Sequence, residues 1–196
     1  MATLYFGGTF NPIHHGHLLC ARAVAEMRGY SKVVLIPAAT PPNKPKNEVV
    51  DAEHRLAMCR LAVGDNQALF EVDDLEIRRL GPSYTLDTVR ELRERGEDEV
   101  HWLIGTDLVM DLPRWHDPAL LLQECHFVLM ARPGWHIEWN ELPAEYHDLA
   151  SRIVPVPQLE ISASDIRARI AAGRSIAYLT PGKVVDYIAF HLLYRQ

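Results

Sequence analysis

Five short apolar runs constrain the fold of this 196-residue chain more than any other feature. They are Leu4-Tyr5-Phe6, Lys32-Val33-Val34-Leu35-Ile36-Pro37, Val100-His101-Trp102-Leu103-Ile104-Gly105, His126-Phe127-Val128-Leu129-Met130-Ala131-Arg132 and Arg152-Ile153-Val154-Pro155-Val156. Several are continuously apolar rather than alternating, as strands covered on both faces are. Residues 70–75 form a weaker sixth candidate. Amphipathic stretches separate the runs. Residues 18–27 stop at Gly29, and residues 53–63 follow Asp51, a candidate cap. Residues 86–95 carry Leu86, Val89 and Leu92 three apart and stop at Gly96. Residues 162–172 start at Ser162, with Asp165 three positions on, and end at Gly173. Thr180-Pro181 opens a last helix with Val184, Val185, Ile188 and Leu192 on one face. Strands alternating with helices predict an α/β, Rossmann-like, doubly wound fold, with a mainly parallel sheet and helices on both faces. The length suits a single domain, residues 1–196. Residues 40–47, rich in proline with two lysines, and residues 134–147 read as loops.

Ligands on such sheets bind beyond the carboxyl ends of the strands. There the chain places Gly7-Gly8-Thr9-Phe10-Asn11-Pro12-Ile13-His14-His15-Gly16-His17. The glycines predict a turn that lets backbone approach a ligand. His14 and His17 stand three apart where a helix should begin, so they share a face. Outward amides, a positive helix end and imidazole donors together suit phosphate. The two standard phosphate loops, G-x-x-x-x-G-K-[ST] and G-x-G-x-x-G, are absent, as is the nucleophile elbow G-x-S-x-G. Direct transfer between bound ligands is therefore favoured over a covalent intermediate. The formal net charge of -6 argues against nucleic acid as a partner, yet leaves room for a small anion on a local positive patch. Cys20, Cys59 and Cys125 form no C-x-x-C pair, which suggests buried thiols in a reducing, cytoplasmic setting. No signal peptide and no membrane span are expected, since no stretch approaches roughly 18–20 apolar residues. Oligomeric state is not legible, and a homo-oligomer stays open.

The run from Gly7 to His17 resembles the (T/H)xGH nucleotidyltransferase signature. Ile161-Ser162-Ala163-Ser164-Asp165-Ile166-Arg167 is similar to that superfamily's second motif. Pro82-Ser83-Tyr84-Thr85, Ile104-Gly105-Thr106-Asp107 and Pro113-Arg114-Trp115 narrow the likeness to bacterial nicotinate mononucleotide adenylyltransferases, over nearly the whole chain. The resemblance implies transfer of AMP from ATP to nicotinate mononucleotide, giving nicotinate adenine dinucleotide and pyrophosphate in NAD biosynthesis. It implies that His14, His17 and Arg167 are catalytic. Gly8, Thr9, Phe10, Gly105, Asp107, Ser162 and Ile166 would join them around ATP. Lys44 and Arg132 would meet the mononucleotide phosphate, and Thr85 and Trp115 the pyridine. Mg²⁺ would arrive with ATP, held by phosphates and water. Two positions depart from the pattern. Asn11 stands where the family usually has Asp, and Asn43 precedes Lys44 where His is frequent.

Plainer readings accompany each of these residues. Gly7-Gly8 alone is an ordinary turn, Ser162 alone an N-cap, and Arg167 alone a surface charge. Thr85 and Asp107 could be helix caps, Trp115 a core residue, and Lys44 and Arg132 solvated charges. His14, His15, His17 and Cys20 could suggest zinc, but no Cys pair or second His cluster completes a four-ligand set. A sister enzyme such as phosphopantetheine adenylyltransferase needs no pyridine stack, so Trp115 and Thr85 count against it. A non-catalytic nucleotide-binding module has no need of the intact His14, His17, Ser162 and Arg167. A fragment like a class I aminoacyl-tRNA synthetase would carry the opposite charge balance.

Overall fold

A computed structural model describes residues 2–42, 45, 48–64, 68–132 and 134–195. Six parallel strands form one sheet: β1 (Thr3–Gly8), β2 (Lys32–Pro37), β3 (Phe70–Val72), β4 (His101–Gly105), β5 (His126–Met130) and β6 (Ile153–Val154). Their spatial order is β3-β2-β1-β4-β5-β6. That is a doubly wound arrangement whose direction reverses between β1 and β4, leaving a crevice at their carboxyl ends.

The apolar runs follow from burial on both sides. Leu4 and Phe6, Val33 and Leu35, Leu103, and Val128 and Met130 enter one core. Their neighbours Tyr5, Val34 and Ile36, Trp102 and Ile104, and Phe127 and Leu129 enter the other. Side chains alternate across a strand, so a sheet with two dry faces needs apolar residues at every position. The first core is closed by helices α1 (His15–Arg28), α2 (Ala52–Val63), α6 (Ala163–Ala171) and α7 (Gly182–Phe190). The second is closed by α3 (Leu75–Arg78), α4 (Thr85–Glu94) and α5 (Pro118–Glu124).

The local signals differ in outcome. Ser162 caps α6, its hydroxyl accepting from the Asp165 amide at 3.0 Å. Gly29 ends α1 with φ 75°, a left-handed conformation that costs other residues more. Asp51 sits at the N-cap of α2 without a side-chain bond. Gly7 and Gly8 are not a turn. They are the last two residues of β1, paired with Ile36 and Pro37. A Cβ on Gly7 would run into the Trp102 ring, so close ring approach explains the glycine. Leu192 is exposed beyond the end of α7, and Leu193 packs inward instead, because the helix stops at Phe190. The stretch 134–147 is not loop throughout: 3-10 turns occupy Trp139–Glu141 and Ala144–Arg152, and they bury Tyr146 and Leu149. Among the described residues no helix is long and apolar enough to cross a membrane.

Candidate active site

A cleft of about 390 Å³ opens over the carboxyl ends of the central strands. The β1–α1 loop forms its floor, with Gly8, Thr9, Phe10, Asn11 and His17 in the lining. The end of β4 and the 3-10 helix Thr106–Arg114 add Gly105, Asp107 and then Trp115. Arg132 follows β5, and Thr85 stands at the first turn of α4. Residues 8 to 132 of the sequence thus meet in one concave space.

His14 and His17 meet more closely than a shared helix face requires. Their rings stack at 3.6 Å with 24° between planes. His14 is the N-cap of α1, and its backbone N–H donates to His17 Nδ1 at 3.3 Å. Phe10 and Phe6 place ring contacts on His17 at 5.1 and 5.9 Å. His17 is therefore oriented by the His14, Phe10 and Phe6 rings and by the His14 amide, and it lines the cleft. His14 lies beneath it, 2 % exposed, and is absent from the cleft lining. Burial, then the Arg132 and His15 charges, lower the His14 pKa to about 3. His14 is thus neutral at physiological pH, and its Nδ1 finds no hydrogen-bond partner among the described residues. Gly16 leaves room for this packing, since a Cβ there would lie 3.0 Å from the His14 ring.

The other wall carries charge and aromatic surface. Arg132 Nε and Asp107 Oδ1 stand 3.5 Å apart, and the Arg132 amide donates to Thr106 Oγ1 at 2.9 Å. Gly105 is required here, because a Cβ would overlap the Asp107 carboxylate and approach Arg132 Nε to 3.1 Å. Trp115 packs edgewise on Phe127 at 6.4 Å and is half-buried, with the rest of its surface on the cleft. Tyr84 and His116 stack at 4.2 Å beside it. Thr85 is a first-turn residue rather than the cap, which is Tyr84.

The second motif supports the cleft more than it lines it. Ser162 is exposed at the α6 cap, and only its neighbour Ala163 reaches the lining. Arg167 Nη1 donates to the Asn11 carbonyl at 2.9 Å, fastening α6 to the β1–α1 loop. Ile166 is fully buried in the first core and is absent from the cleft lining. Lys44 and Asn43 lie outside the described residues. Asn11, where the family usually has Asp, is 3 % exposed and bonded through both ends of its amide. Its amide donates to the Glu48 carbonyl at 2.9 Å, and its oxygen accepts from the Val50 amide and the Tyr194 hydroxyl. A carboxylate could not make the first of these bonds.

Two residues were missed by reading the chain. Arg55, in the second amphipathic stretch, is 1 % exposed. Glu76 lines the cleft, and its buried carboxylate accepts from Thr88 Oγ1 at 2.6 Å. Burial foremost raises the Glu76 pKa, while the Thr88 and Ser83 bonds and nearby Arg79 and Arg55 oppose the rise. No spacing signals either residue, because charged side chains at helical positions ordinarily face water.

This combination of sheet order, cleft and His-x-Gly-His loop defines a cytidylyltransferase-like protein, and a family model of that description matches residues 5–169. The chain is 43% identical over 191 residues to the probable nicotinate-nucleotide adenylyltransferase of Roseiflexus castenholzii, covering 96% of each. It is 42% identical over 193 residues to that of Thermomicrobium roseum, covering 97% of this chain and 90% of the relative. Its fold matches the Plasmodium falciparum nicotinic acid mononucleotide adenylyltransferase complexed with NaAD, with a TM-score of 0.80 at 18% identity, over 98% and 96% of the two chains. The chain belongs to the nicotinate-nucleotide adenylyltransferase family.

Proposed function

We propose that this chain joins the AMP moiety of ATP to nicotinate mononucleotide, releasing pyrophosphate and forming nicotinate adenine dinucleotide. A mononucleotide phosphate oxygen attacks the ATP α-phosphorus in line. The bond to the bridging oxygen breaks, and its electrons leave with pyrophosphate. Such transfers need positioning and charge stabilisation rather than a protein nucleophile. The observation that carries this reading is the meeting, in one cleft, of His17, stacked on the buried His14, on one side with Thr85 and Trp115 on the other. One end suits a polyphosphate and the other a flat ring.

His17 donates to the phosphates as charge moves onto the leaving group. His14 is neutral and acts from beneath the cleft, holding His17 in place. Gly8, Thr9 and Phe10 shape the floor beneath ATP, and Asp107 beside Gly105 takes the adenosine end. Arg132 meets the mononucleotide phosphate, as Lys44 does by resemblance. Trp115 stacks on the pyridine while Thr85, at the positive end of α4, bonds its carboxylate. Arg167 and Ser162 hold the second motif against the phosphate end. Mg²⁺ enters as part of the ATP substrate, bound by phosphate oxygens and water. Cytoplasmic placement accords with this substrate set.

Side-by-side turnover of nicotinate and nicotinamide mononucleotides with ATP tests the proposal. The acid should be favoured by on the order of 10² or more, because donors placed for a carboxylate are left unpaired by the amide. Absence of pyrophosphate release with the acid overturns the reading.

A further inference from the structure

Arg55 presents an unusual arrangement. Its guanidinium donates to three backbone carbonyls: Val50 from Nε at 2.9 Å, Thr9 from Nη1 at 2.8 Å and Ala39 from Nη2 at 3.0 Å. These oxygens come from three separate segments around the cleft. Thr9 is part of the floor, Ala39 adjoins the lining residue Ala38, and the Val50 amide is bonded to the lining residue Asn11. Among the described residues no carboxylate lies within ion-pair distance of Arg55. Burial lowers its pKa, and the nearest opposing influences are Cys59, Tyr194, Asp51 and Glu76. An arginine in a protein nonetheless stays charged. A buried cation bonded only to carbonyl dipoles is costly unless an anion completes its neutralisation. The guanidinium itself is absent from the cleft lining and lies behind the floor, bonded to the Thr9 carbonyl.

We infer that Arg55 is a positioning residue for the polyphosphate end of the cleft: it fastens the Thr9, Ala39 and Val50 segments together, and its uncompensated charge is balanced when a polyphosphate binds. The inference rests on the proposed function. It separates two roles that a merely structural arginine would merge. The three carbonyl bonds set loop geometry, which any ligand feels. The net charge acts on anions alone.

Equilibrium binding of inorganic pyrophosphate and of adenosine to the wild-type chain, Arg55→Met and Arg55→Lys tests this, with folding of each variant checked by thermal melting. Arg55→Met should weaken pyrophosphate binding about tenfold and adenosine binding less than about twofold. Arg55→Lys, which keeps the charge, should restore pyrophosphate binding to within about threefold of wild type while turnover stays low, because one ammonium does not reproduce the guanidinium fork. Parallel loss of both ligands in Arg55→Met overturns the inference, as does unchanged pyrophosphate affinity or failure of Arg55→Lys to restore it. The wild-type chain supplies a readout that needs no folded variant. The Arg55 Nε proton, bonded to Val50, should shift in a nitrogen-15 spectrum when pyrophosphate is added, and an unmoved resonance overturns the inference. If the wild-type chain binds no pyrophosphate, the proposed function falls as well. If it binds and the Arg55 readouts do not respond, only this inference falls.

Discussion

His14 and His17 show how two residues of one kind acquire different duties. Stacked at 3.6 Å, they differ in burial, and burial keeps His14 neutral. His17→Ala should lower turnover by on the order of 10²–10³, the usual cost of removing one preorganised donor. Steady-state pyrophosphate release measures this, and wild-type turnover removes His17 from the mechanism. The depressed His14 pKa has a consequence for stability. Between its ordinary value of 6.5 and the folded value of about 3, the unfolded chain binds a proton that the folded chain does not. Stability should therefore fall as pH drops through that window, approaching about 1.4 kcal/mol per pH unit from this residue alone, and be insensitive to it above 6.5. Urea unfolding of the wild-type chain and His14→Asn at pH 7 and pH 5 checks the sign: the wild type should lose more. Equal losses mean that His14 titrates normally.

At the scale of elements, the site is a junction of loops held by buried polar bonds. Asn11 binds residues 48–50, Tyr194 after α7 and Arg167 of α6. Tyr194→Phe removes one buried bond to Asn11 and should cost about 1 kcal/mol in denaturant unfolding. An unchanged midpoint would show that the C-terminal segment does not brace the loop. The opposite wall is built by the turn after β4 and the start of α4. Trp115→Ala there should raise KM for nicotinate mononucleotide about tenfold and leave KM for ATP within about twofold, since the stack is lost at one end only. A matching rise in both would place Trp115 in the framework instead. The strands were readable because two-sided burial demands uninterrupted apolar residues. The second motif was readable as a helix start because Ser162 is a working cap. What Ile166 does was not readable, because an apolar residue in a motif looks the same whether it faces ligand or core.

Across the whole molecule, the reversal of strand order between β1 and β4 is what creates a cleft at all. His17, Asp107, Trp115 and Arg132, among the described residues proposed to touch substrate, lie on the helix or turn that follows a strand's carboxyl end. Saturating ATP at about one hundred times its Kd should therefore stabilise the entire fold by about 2.7 kcal/mol, measurable as a rise in melting temperature. No rise would mean that the cleft does not bind ATP in the folded state. The amino-acid order by itself determined the alternation of strand and helix, the two-faced sheet, and the local marks of a phosphate site at residues 7–17 and 161–167. Those are short-range properties, set by hydrophobic periodicity, caps and neighbouring donors. Tertiary structure alone decided that Gly7 and Gly8 belong to a strand beneath aromatic rings. It also buried His14 under His17, and turned Arg55 inward onto the carbonyls of Val50, Thr9 and Ala39, the last two far from it in the chain. Burial, and with it charge state and hydrogen-bond partner, depends on what packs from elsewhere in the chain, and the opening loop acquires its chemistry only when those partners arrive.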